Sequence, residues 1–193
     1  MINNPFSHFT DWYHEAIKRK VHEPTAMVLA TSTPQGAPSA RVILLKGHDE
    51  RGFCFFTNFN SRKASELLQN PQASLCFHWD EMQKQVRIEG TTEEVSAQEA
   101  DDYFATRRRE SQIGAWASKQ SSPLEHPEAL KDRVARYTEQ FKDKNHIPRP
   151  EYWSGFRLKP HRFEFWENGE FRLHQRTIYV REGDAWSIHT LYP

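Results

Sequence analysis

Three side chains spaced four residues apart could bind a phosphate ester. Tyr103, Arg107 and Ser111 would lie on one face of a helix and within reach of one another, if the helix continues through all three positions. A guanidinium supplies charge and paired donors, and the two hydroxyls supply directed hydrogen bonds. The trio therefore suits a phosphate monoester. The other interpretation is a solvated helix end with ordinary arginines, because charged helix faces are common.

A second polar group alternates along a predicted strand. Arg172, His174 and Arg176 would point to the same side of that strand. Three potentially cationic groups on one face repel one another unless an anion or acidic residues lie among them. Anion binding is one interpretation, and a solvent-facing strand beside a hairpin is the other.

Cations also bracket an apolar strand and open a short helix. Arg41 and Lys46 flank residues 42–45, on opposite faces of a regular strand unless a bulge intervenes or one side chain reaches around the end. Ser61, Arg62 and Lys63 begin a predicted helix, and a helix N-terminus with two cations is a favourable anion site. Alternatively, Ser61 is only an N-cap.

The segment 111–122 is too polar and irregular to be only a core element. It contains Gln112, Gln120 and Ser121. Trp116 in this segment and Trp166 could stack on a planar ligand, although core packing is the commoner role of a single Trp. The sequence has no GxGxxG, Walker A, GxSxG or HExxH motif, so dinucleotide-fold, P-loop and zinc-protease interpretations have no support.

The composition restricts the class of protein that positions these residues. The chain has 193 residues with 26 Lys+Arg and 26 Asp+Glu, and this zero net charge argues against a nucleic-acid binder. Aromatic residues make up 13% of the chain, enough to fill a core, which argues against disorder. Cys54 and Cys76 form neither a disulfide framework nor a CxxC metal motif, and we expect buried free thiols. The first residues do not resemble a signal peptide and no apolar run approaches the ~20 residues of a membrane helix, so we expect a cytoplasmic protein without a membrane partner.

The hydrophobic pattern predicts short strands with helices between them. Apolar residues recur at helical spacing over residues 6–17. Strands are predicted over residues 26–30, 41–46, 53–57, 73–79 and 85–89, with a polar turn over residues 47–52. Further helices are predicted from Ser61 to Asn70, from the capping box of Ser96 and Glu99 to about Arg108, and from Pro127 with an apolar side of Leu130, Val134, Tyr137 and Phe141.

The C-terminal part returns to strands. Glu167, Asn168 and Gly169 predict a tight hairpin between strands over 163–166 and 171–180, and a last strand covers 185–191. Seven or eight short strands with three or four helices, and few βαβ units, favour a mainly β protein of the α+β type. We expect one antiparallel barrel or sheet with peripheral helices.

Five segments in this order resemble the pyridoxine/pyridoxamine 5′-phosphate oxidase family. They are ARVILLK (40–46), FFTNFNSRKASEL (55–67), QVRIEG (85–90), YFATRRRESQIGAWASKQSS (103–122) and FWENGEFRLHQR (165–176). The resemblance implies one FMN-binding split-barrel domain over residues 1–193, with an N-terminal helix in 1–23 and the barrel with inserted helices in 24–193. It also implies a homodimer with FMN at the subunit interface.

The resemblance assigns roles to residues of this chain. Flavin would be bound by residues from both subunits, namely Arg41, Val42, Ile43, Leu44, Lys46, Phe56, Thr57, Ser61, Arg62, Lys63, Gln85, Gln120, Ser121, Trp166 and Arg176. The substrate would be bound by Lys46, Tyr103, Arg107, Ser111, Arg172 and His174, of which Arg172 and His174 would lie over the substrate ring as catalytic residues. No metal is implied.

The implied reaction converts pyridoxine or pyridoxamine 5′-phosphate to pyridoxal 5′-phosphate. A hydride moves from substrate C4′ to flavin N5, and dioxygen reoxidises the flavin to give hydrogen peroxide. The sequence departs from the family pattern at Phe56 (usually Tyr), Gln175 (usually Asp) and Thr190 (usually Arg), and a basic, aromatic N-terminal lid segment is expected to be absent. Two alternatives keep the fold: a related oxidase of another substrate, as in phenazine biosynthesis, and a non-catalytic flavin or pyridoxal-phosphate binding module.

Overall fold

The chain is built around a nine-stranded antiparallel sheet, described here from a computed structural model that covers residues 4–193. The strands are β1 (Ala26–Ser32), β2 (Pro38–Leu44), β3 (Gly47–Asp49), β4 (Gly52–Asn58), β5 (Gln72–Trp79), β6 (Lys84–Glu94), β7 (Trp153–Glu167), β8 (Gln175–Glu182) and β9 (Ala185–Thr190). Five α-helices surround it in the described residues: α1 (Pro5–Lys18), α2 (Arg62–Gln69), α3 (Ala97–Thr106), α4 (Arg109–Ala117) and α5 (Ala129–Phe141). The prediction of a mainly antiparallel β protein with peripheral helices is confirmed.

The long strand β7 connects two parts of this sheet. The strand order is β2-β1-β5-β6-β7-β4-β3, and β8 with β9 branches from β7. The first part of β7, to Leu158, pairs with β4, whereas the part from Arg162 pairs with β8. The register of β6 against β7 shifts after Glu89, and a Cβ atom on Gly90 would lie 2.3 Å from the Lys159 carbonyl oxygen. Glycine therefore permits the close backbone approach at which the sheet curls into a split barrel.

Two aromatic clusters form the core. The larger one lies between α1 and the sheet and includes Phe9, Phe53, Phe77 and Phe163, all fully buried. The smaller one joins α3, α4 and α5 to the start of β7 through Phe104, Ile113, Tyr137, Phe141 and Trp153. The ring-rich core predicted from composition is confirmed, and the smaller cluster is the one that supports the cavity described below.

The cysteines are free thiols. Cys54 is buried and Cys76 is half-buried. Burial raises the pKa of the Cys54 thiol to about 11, so this group stays protonated and unreactive at neutral pH.

The C-terminal hairpin differs from its prediction. Strand β7 ends at Glu167 and β8 begins only at Gln175, with a 3-10 turn over Glu170–Arg172 between them. Phe171 and Arg172 have positive φ angles of 56° and 65°. The Asn168-Gly169 signal therefore opens a seven-residue loop rather than a two-residue turn, and Arg172 and His174 are not strand residues.

Two helices and one turn also differ. Helix α5 begins at Ala129, so Pro127 precedes it, and only Tyr137 and Phe141 of its predicted apolar side are buried, while Leu130 and Val134 are exposed. The helix predicted to run to about Arg108 stops at Thr106, and α4 is a separate helix. The segment predicted as a turn after Lys46 contains the short strand β3, which gives a ninth strand.

No helix in residues 4–193 has the length and apolar character needed to cross a membrane.

Candidate active site

A cavity of about 620 Å³ lies between strands β2 and β4 and the helices α3 and α4. Its size is in the range of small-molecule and cofactor sites. It is lined by Arg41, Val42, Ile43, Leu44, Lys46, Phe56, Thr57, Asn58, Lys63, Tyr103, Arg107, Ser111, Gly114, Ala115, Ser118, Gln120 and Trp153. Twelve of the residues predicted from the sequence therefore meet in one place.

The trio Tyr103, Arg107 and Ser111 meets at this cavity by a different route from the one predicted. Arg107 and Arg108 have extended backbones with ψ angles of 148° and 144°, so α3 and α4 do not form one continuous helix. The buried Gln112 side chain donates a hydrogen bond of 2.9 Å to the Phe104 carbonyl oxygen at the end of α3. The same oxygen accepts a bond from the Arg107 backbone amide at 3.2 Å, so the Gln112 bond is a second one that connects α4 to the last turn of α3.

Arg107 carries a charge that the described residues do not neutralise. Its guanidinium carbon lies 4.8 Å from the centre of the Trp153 ring and 5.6 Å from that of Phe104. Its Nη1 atom is buried and has no hydrogen-bond partner anywhere in residues 4–193. Burial lowers the pKa of Arg107, which still remains charged at neutral pH. An unpartnered buried guanidinium nitrogen beside a cavity is costly unless a ligand accepts its hydrogen bond.

Tyr103 is held by a stack of rings. Its ring centre lies 4.2 Å from that of Phe56, and Phe56 in turn stacks on Trp153 at 5.4 Å. Burial raises the pKa of Tyr103, so its hydroxyl remains a hydrogen-bond donor. Phe56, where the family usually has Tyr, thus contributes a ring surface to the cavity wall.

Arg41 and Lys46 both line the cavity although their spacing suggests opposite faces. Strand β2 ends at Leu44, and the Lys46 backbone amide donates to the Cys54 carbonyl oxygen at 2.9 Å, at the start of the β3–β4 hairpin. The strict alternation of a strand therefore stops before Lys46. Its side chain can lie on the same side as Arg41, which is the strand-end exception noted in the sequence analysis. Lys46 forms no ion pair with any residue that the structure describes.

The other end of the cavity is built around Lys63. Its Nζ atom lies 3.2 Å from both Thr57 Oγ1 and Gln120 Oε1, and no carboxylate of residues 4–193 is within ion-pair distance. Burial, and then the charge of Arg41, lowers the pKa of Lys63. Ser61 occupies the N-cap position of α2 without a side-chain capping bond, and its Oγ lies 3.5 Å from Lys63 Nζ. Ser61 thus has the predicted N-cap position, but its hydroxyl contacts Lys63 instead of capping the helix.

Arg62 and Ser121 lie beside this end but do not line the cavity. The Arg62 backbone amide donates to Ser121 Oγ at 3.3 Å, which brings the polar 111–122 segment to the N-terminus of α2. A helix N-terminus with exposed amide groups and two cations is suited to an anion. The cavity thus has one cationic end at Arg107 and Lys46 and another at Lys63 and α2. This donor set fits ligands that carry phosphate groups.

A second group of predicted residues lies away from the cavity within one chain. Gln85, Trp166 and Arg176 are register partners across β6, β7 and β8. Arg176 is ion-paired with Glu164 at 3.0 Å, and the His174 ring lies 4.6 Å from that of Trp166. Because Arg172 and His174 lie in the loop after β7, the predicted common strand face of Arg172, His174 and Arg176 does not exist.

Some residues important to the cavity were not predicted from the sequence. Trp153 contacts Arg107 and stacks near Tyr103, but nothing in its local sequence distinguishes it from a core residue. Glu66 binds Arg62 four residues earlier on α2, a spacing that could have revealed that pair. Trp116, by contrast, is half-buried, packs against Phe141 of the smaller core cluster and donates to the Pro148 carbonyl oxygen. No group of three or more His, Cys, Asp or Glu side chains within the described range could hold a metal ion.

Comparisons with known proteins cover nearly the whole chain. Residues 13–141 match the family described as pyridoxamine 5′-phosphate oxidase, and residues 153–193 match the pyridoxine 5′-phosphate oxidase C-terminal dimerisation region. The pyridoxine/pyridoxamine 5′-phosphate oxidase of Rubrobacter xylanophilus is 50% identical over 98% of this chain and 87% of that protein. The protein of the same name from Zymomonas mobilis is 49% identical over 100% of both chains.

Two solved structures are also similar. PhzG from Burkholderia lata 383, in complex with tetrahydrophenazine-1-carboxylic acid, is 34% identical, with a TM-score of 0.94 over 99% of this chain and 93% of that one. A pyridoxamine 5′-phosphate oxidase-related, FMN-binding protein from Nostoc punctiforme is 18% identical, with a TM-score of 0.77 over 100% of both chains, and shares the fold.

Proposed function

The chain belongs to the pyridoxamine 5′-phosphate oxidase family, and on this premise we propose that it is an FMN-dependent oxidase of pyridoxine or pyridoxamine 5′-phosphate. The product is pyridoxal 5′-phosphate, with dioxygen as the electron acceptor. One observation carries the proposal: a single cavity has unneutralised cationic groups at two ends, and the reaction needs two phosphate-bearing molecules in contact.

The end at Arg107 would bind the substrate phosphate. Arg107 supplies charge and the unpartnered Nη1 donor, and Tyr103, Ser111 and Lys46 line the same end. This contact is remote from the reacting C4′ carbon. Its binding energy can therefore align the substrate without taking part in bond breaking.

The end at Lys63 would bind FMN. Its phosphate would be held by Arg41, Lys63 and Thr57 together with the N-terminus of α2, where Ser61, Arg62 and Ser121 lie. The rest of the cofactor would be bordered by the strand residues 42–44 with Lys46, Phe56 and Gln120. When bound, FMN supplies the acceptor for the hydride that leaves C4′, and dioxygen regenerates it with release of hydrogen peroxide.

We further propose that the active site is completed in a homodimer. The match of residues 153–193 to a dimerisation region supports this arrangement. In one chain the cavity is not bordered by Gln85, Trp166, Arg172, His174 or Arg176, although these residues lie in the neighbouring strands and loop. We assign them to the cavity of the partner subunit, with Arg172 and His174 over the substrate ring as catalytic residues. The unpaired cysteines are consistent with a cytoplasmic location.

The test combines a spectrum with two assays on the full-length protein. We expect flavin absorbance in the visible range, peroxide formation with pyridoxine or pyridoxamine 5′-phosphate, and bleaching of the flavin by either substrate under nitrogen. A preparation that is colourless and does not take up added FMN would contradict the proposal. Bound flavin without bleaching by any substrate would indicate a non-catalytic binding module.

A second candidate function follows from the similarity to PhzG, at a TM-score of 0.94 and 34% identity. It is an oxidase of a phenazine precursor on the same fold. The same peroxide assay separates the two. Flavin-loaded protein that gives no peroxide with either vitamin phosphate but gives peroxide with tetrahydrophenazine-1-carboxylic acid would favour this candidate.

A further inference from the structure

A buried carboxylate lies behind the end of the cavity that contains Lys63. Glu66, on α2, is only 5% exposed and does not line the cavity. Its Oε2 atom accepts hydrogen bonds from Thr31 Oγ1 and, at 2.5 Å, from Ser39 Oγ, and its Oε1 atom accepts from Arg62 Nε at 2.8 Å. Burial alone would raise the pKa of Glu66, but the bonds from Ser39, Thr31 and Arg62 outweigh it and lower the pKa to about 2. The group is therefore an anion at every physiological pH.

The same two hydroxyls connect Glu66 to Arg41. Arg41 donates from Nη1 to Thr31 Oγ1 at 2.7 Å and from Nη2 to Ser39 Oγ, and its Nη2 also lies 3.5 Å from Glu66 Oε2. Each hydroxyl accepts from the guanidinium and donates to the carboxylate. Because a hydroxyl has one proton, the charge of Glu66 fixes the direction of both bonds.

Arg41 is thereby held in one orientation at the cavity wall. The Leu29 carbonyl oxygen takes a further Nη1 bond at 3.1 Å, so both terminal nitrogens are engaged. Arg62, whose side chain is 64% exposed, has Glu66 as its ion-pair partner in the described residues. Without the carboxylate, Arg41, Arg62 and Lys63 would face one another as three cations on one small surface.

We infer that Glu66 is a positioning residue for the cofactor phosphate, which fixes Arg41 and Arg62 through contacts with both and with the hydroxyls of Thr31 and Ser39. The inference rests on the proposed function, because it takes FMN as the ligand of this end. The inference also predicts the direction in which affinity for the phosphate changes when the charge of Glu66 is removed. If only net charge mattered, removal of an anion would strengthen phosphate binding, whereas loss of fixed geometry weakens it.

The test compares FMN with riboflavin, which has the same ring system but no phosphate. Flavin-free, full-length wild-type protein and Glu66→Gln are titrated with each flavin, and quenching of flavin fluorescence gives the two dissociation constants. Glu66→Gln keeps the shape of the side chain but presents an amide donor to groups that need an acceptor. We expect the preference for FMN over riboflavin to fall by about tenfold, with riboflavin affinity within about twofold of wild type.

Two further variants make the result specific. Glu89→Gln removes another carboxylate that is ion-paired with arginines, Arg87 at 2.5 Å and Arg162 at 3.6 Å, outside the cavity, and it should leave the preference unchanged. Ser39→Ala removes one bridging hydroxyl at a half-buried position and should lower the preference by about threefold. If Glu66→Gln does not fold, the flavin preference of Ser39→Ala tests the role of this hydrogen-bond network by itself.

The outcomes separate this inference from the proposed function. A wild-type protein that binds FMN no more tightly than riboflavin would overturn the assignment of the phosphate to this end. A normal wild-type preference that is unchanged or increased in Glu66→Gln and Ser39→Ala would overturn the role of Glu66 alone. An equal loss of affinity for both flavins would also overturn it, since a general loss of structure does not distinguish the phosphate.

Discussion

The guanidinium of Arg107 lies 4.8 Å from the centre of the Trp153 ring, on the wall of the cavity. No carboxylate in residues 4–193 forms an ion pair with this arginine, and its Nη1 atom is buried without a hydrogen-bond partner. Aromatic rings therefore orient the guanidinium without neutralising it. This arrangement leaves the full charge of Arg107 available to a ligand.

Trp153→Leu should weaken substrate binding more than it affects the flavin. A desolvated cation–π contact contributes roughly 1–2 kcal/mol, so we expect KM for pyridoxine 5′-phosphate to rise by about tenfold while the dissociation constant of FMN changes little. Trp116→Leu is the control, because Trp116 packs against the same core cluster but does not line the cavity. Equal KM values in the two variants would contradict the role of Trp153.

Inorganic phosphate should inhibit competitively with respect to the vitamin phosphate. The anion would occupy the end formed by Tyr103, Arg107 and Ser111. Arg107→Lys should raise the inhibition constant of phosphate and KM together, because an ammonium lacks the paired donors of a guanidinium. Steady-state rates over a matrix of substrate and phosphate concentrations measure both constants. Inhibition that is absent, or equal in the variant, would argue against a phosphate site here.

The elements of the fold were largely predictable because their signals are local. The capping box of Ser96 and Glu99 forms at the start of α3 as predicted, and the alternation in residues 85–89 buries Val86 and Ile88. The turn after Glu167 was not predictable, because Asn-Gly is compatible with several loop lengths and the register of β8 is set by its pairing with β7. The break between α3 and α4 was not predictable either, because the Gln112 bond across it joins residues eight positions apart.

The candidate site was predictable as a set of residues but not as a geometry. The segment resemblance assigned Tyr103, Arg107 and Ser111 to one ligand, and all three line the cavity. Glu66 and Trp153 were missed because their importance lies in contacts with residues far away in the sequence, Glu66 with Arg41 and Trp153 with Arg107. Such contacts have no local pattern.

Gly155→Ala should disturb the ring stack that holds Tyr103. A Cβ atom at this position of β7 would lie 2.6 Å from Phe56 Cδ1 and 2.8 Å from the Phe55 carbonyl oxygen. Overpacking of this kind costs about 1–3 kcal/mol, so we expect a lower Tm together with a higher KM. Gly47→Ala is the control, since nothing lies within 4 Å of its added Cβ, and it should change neither quantity. A Tm of Gly155→Ala equal to wild type would show that the backbone can yield here.

Stability should fall in mild acid because of His8 on α1. Its ring stacks on Phe165 at 3.8 Å, and burial lowers its pKa from 6.5 to about 4. Between these two pKa values the unfolded chain binds a proton at His8 that the folded chain does not bind. The contribution of His8 to the free energy of unfolding is therefore complete above pH 6.5 and is lost as the pH falls toward 4. His8→Phe keeps a ring and removes the titration. Urea unfolding at several pH values should give a smaller acid loss for this variant, and parallel curves would contradict the assignment.

Mixed dimers should show whether each active site is shared between two subunits. Arg107 lines the cavity of its own chain, whereas His174 lies in the loop after β7 and is assigned here to the cavity of the partner subunit. Arg107→Ala and His174→Ala homodimers should both have low activity, because each lacks one residue in every site. Unfolding and refolding the two together should restore about a quarter of wild-type activity, since half of randomly formed dimers are mixed and each has one intact site. If both residues served the same chain, every site would remain defective and mixing would restore nothing.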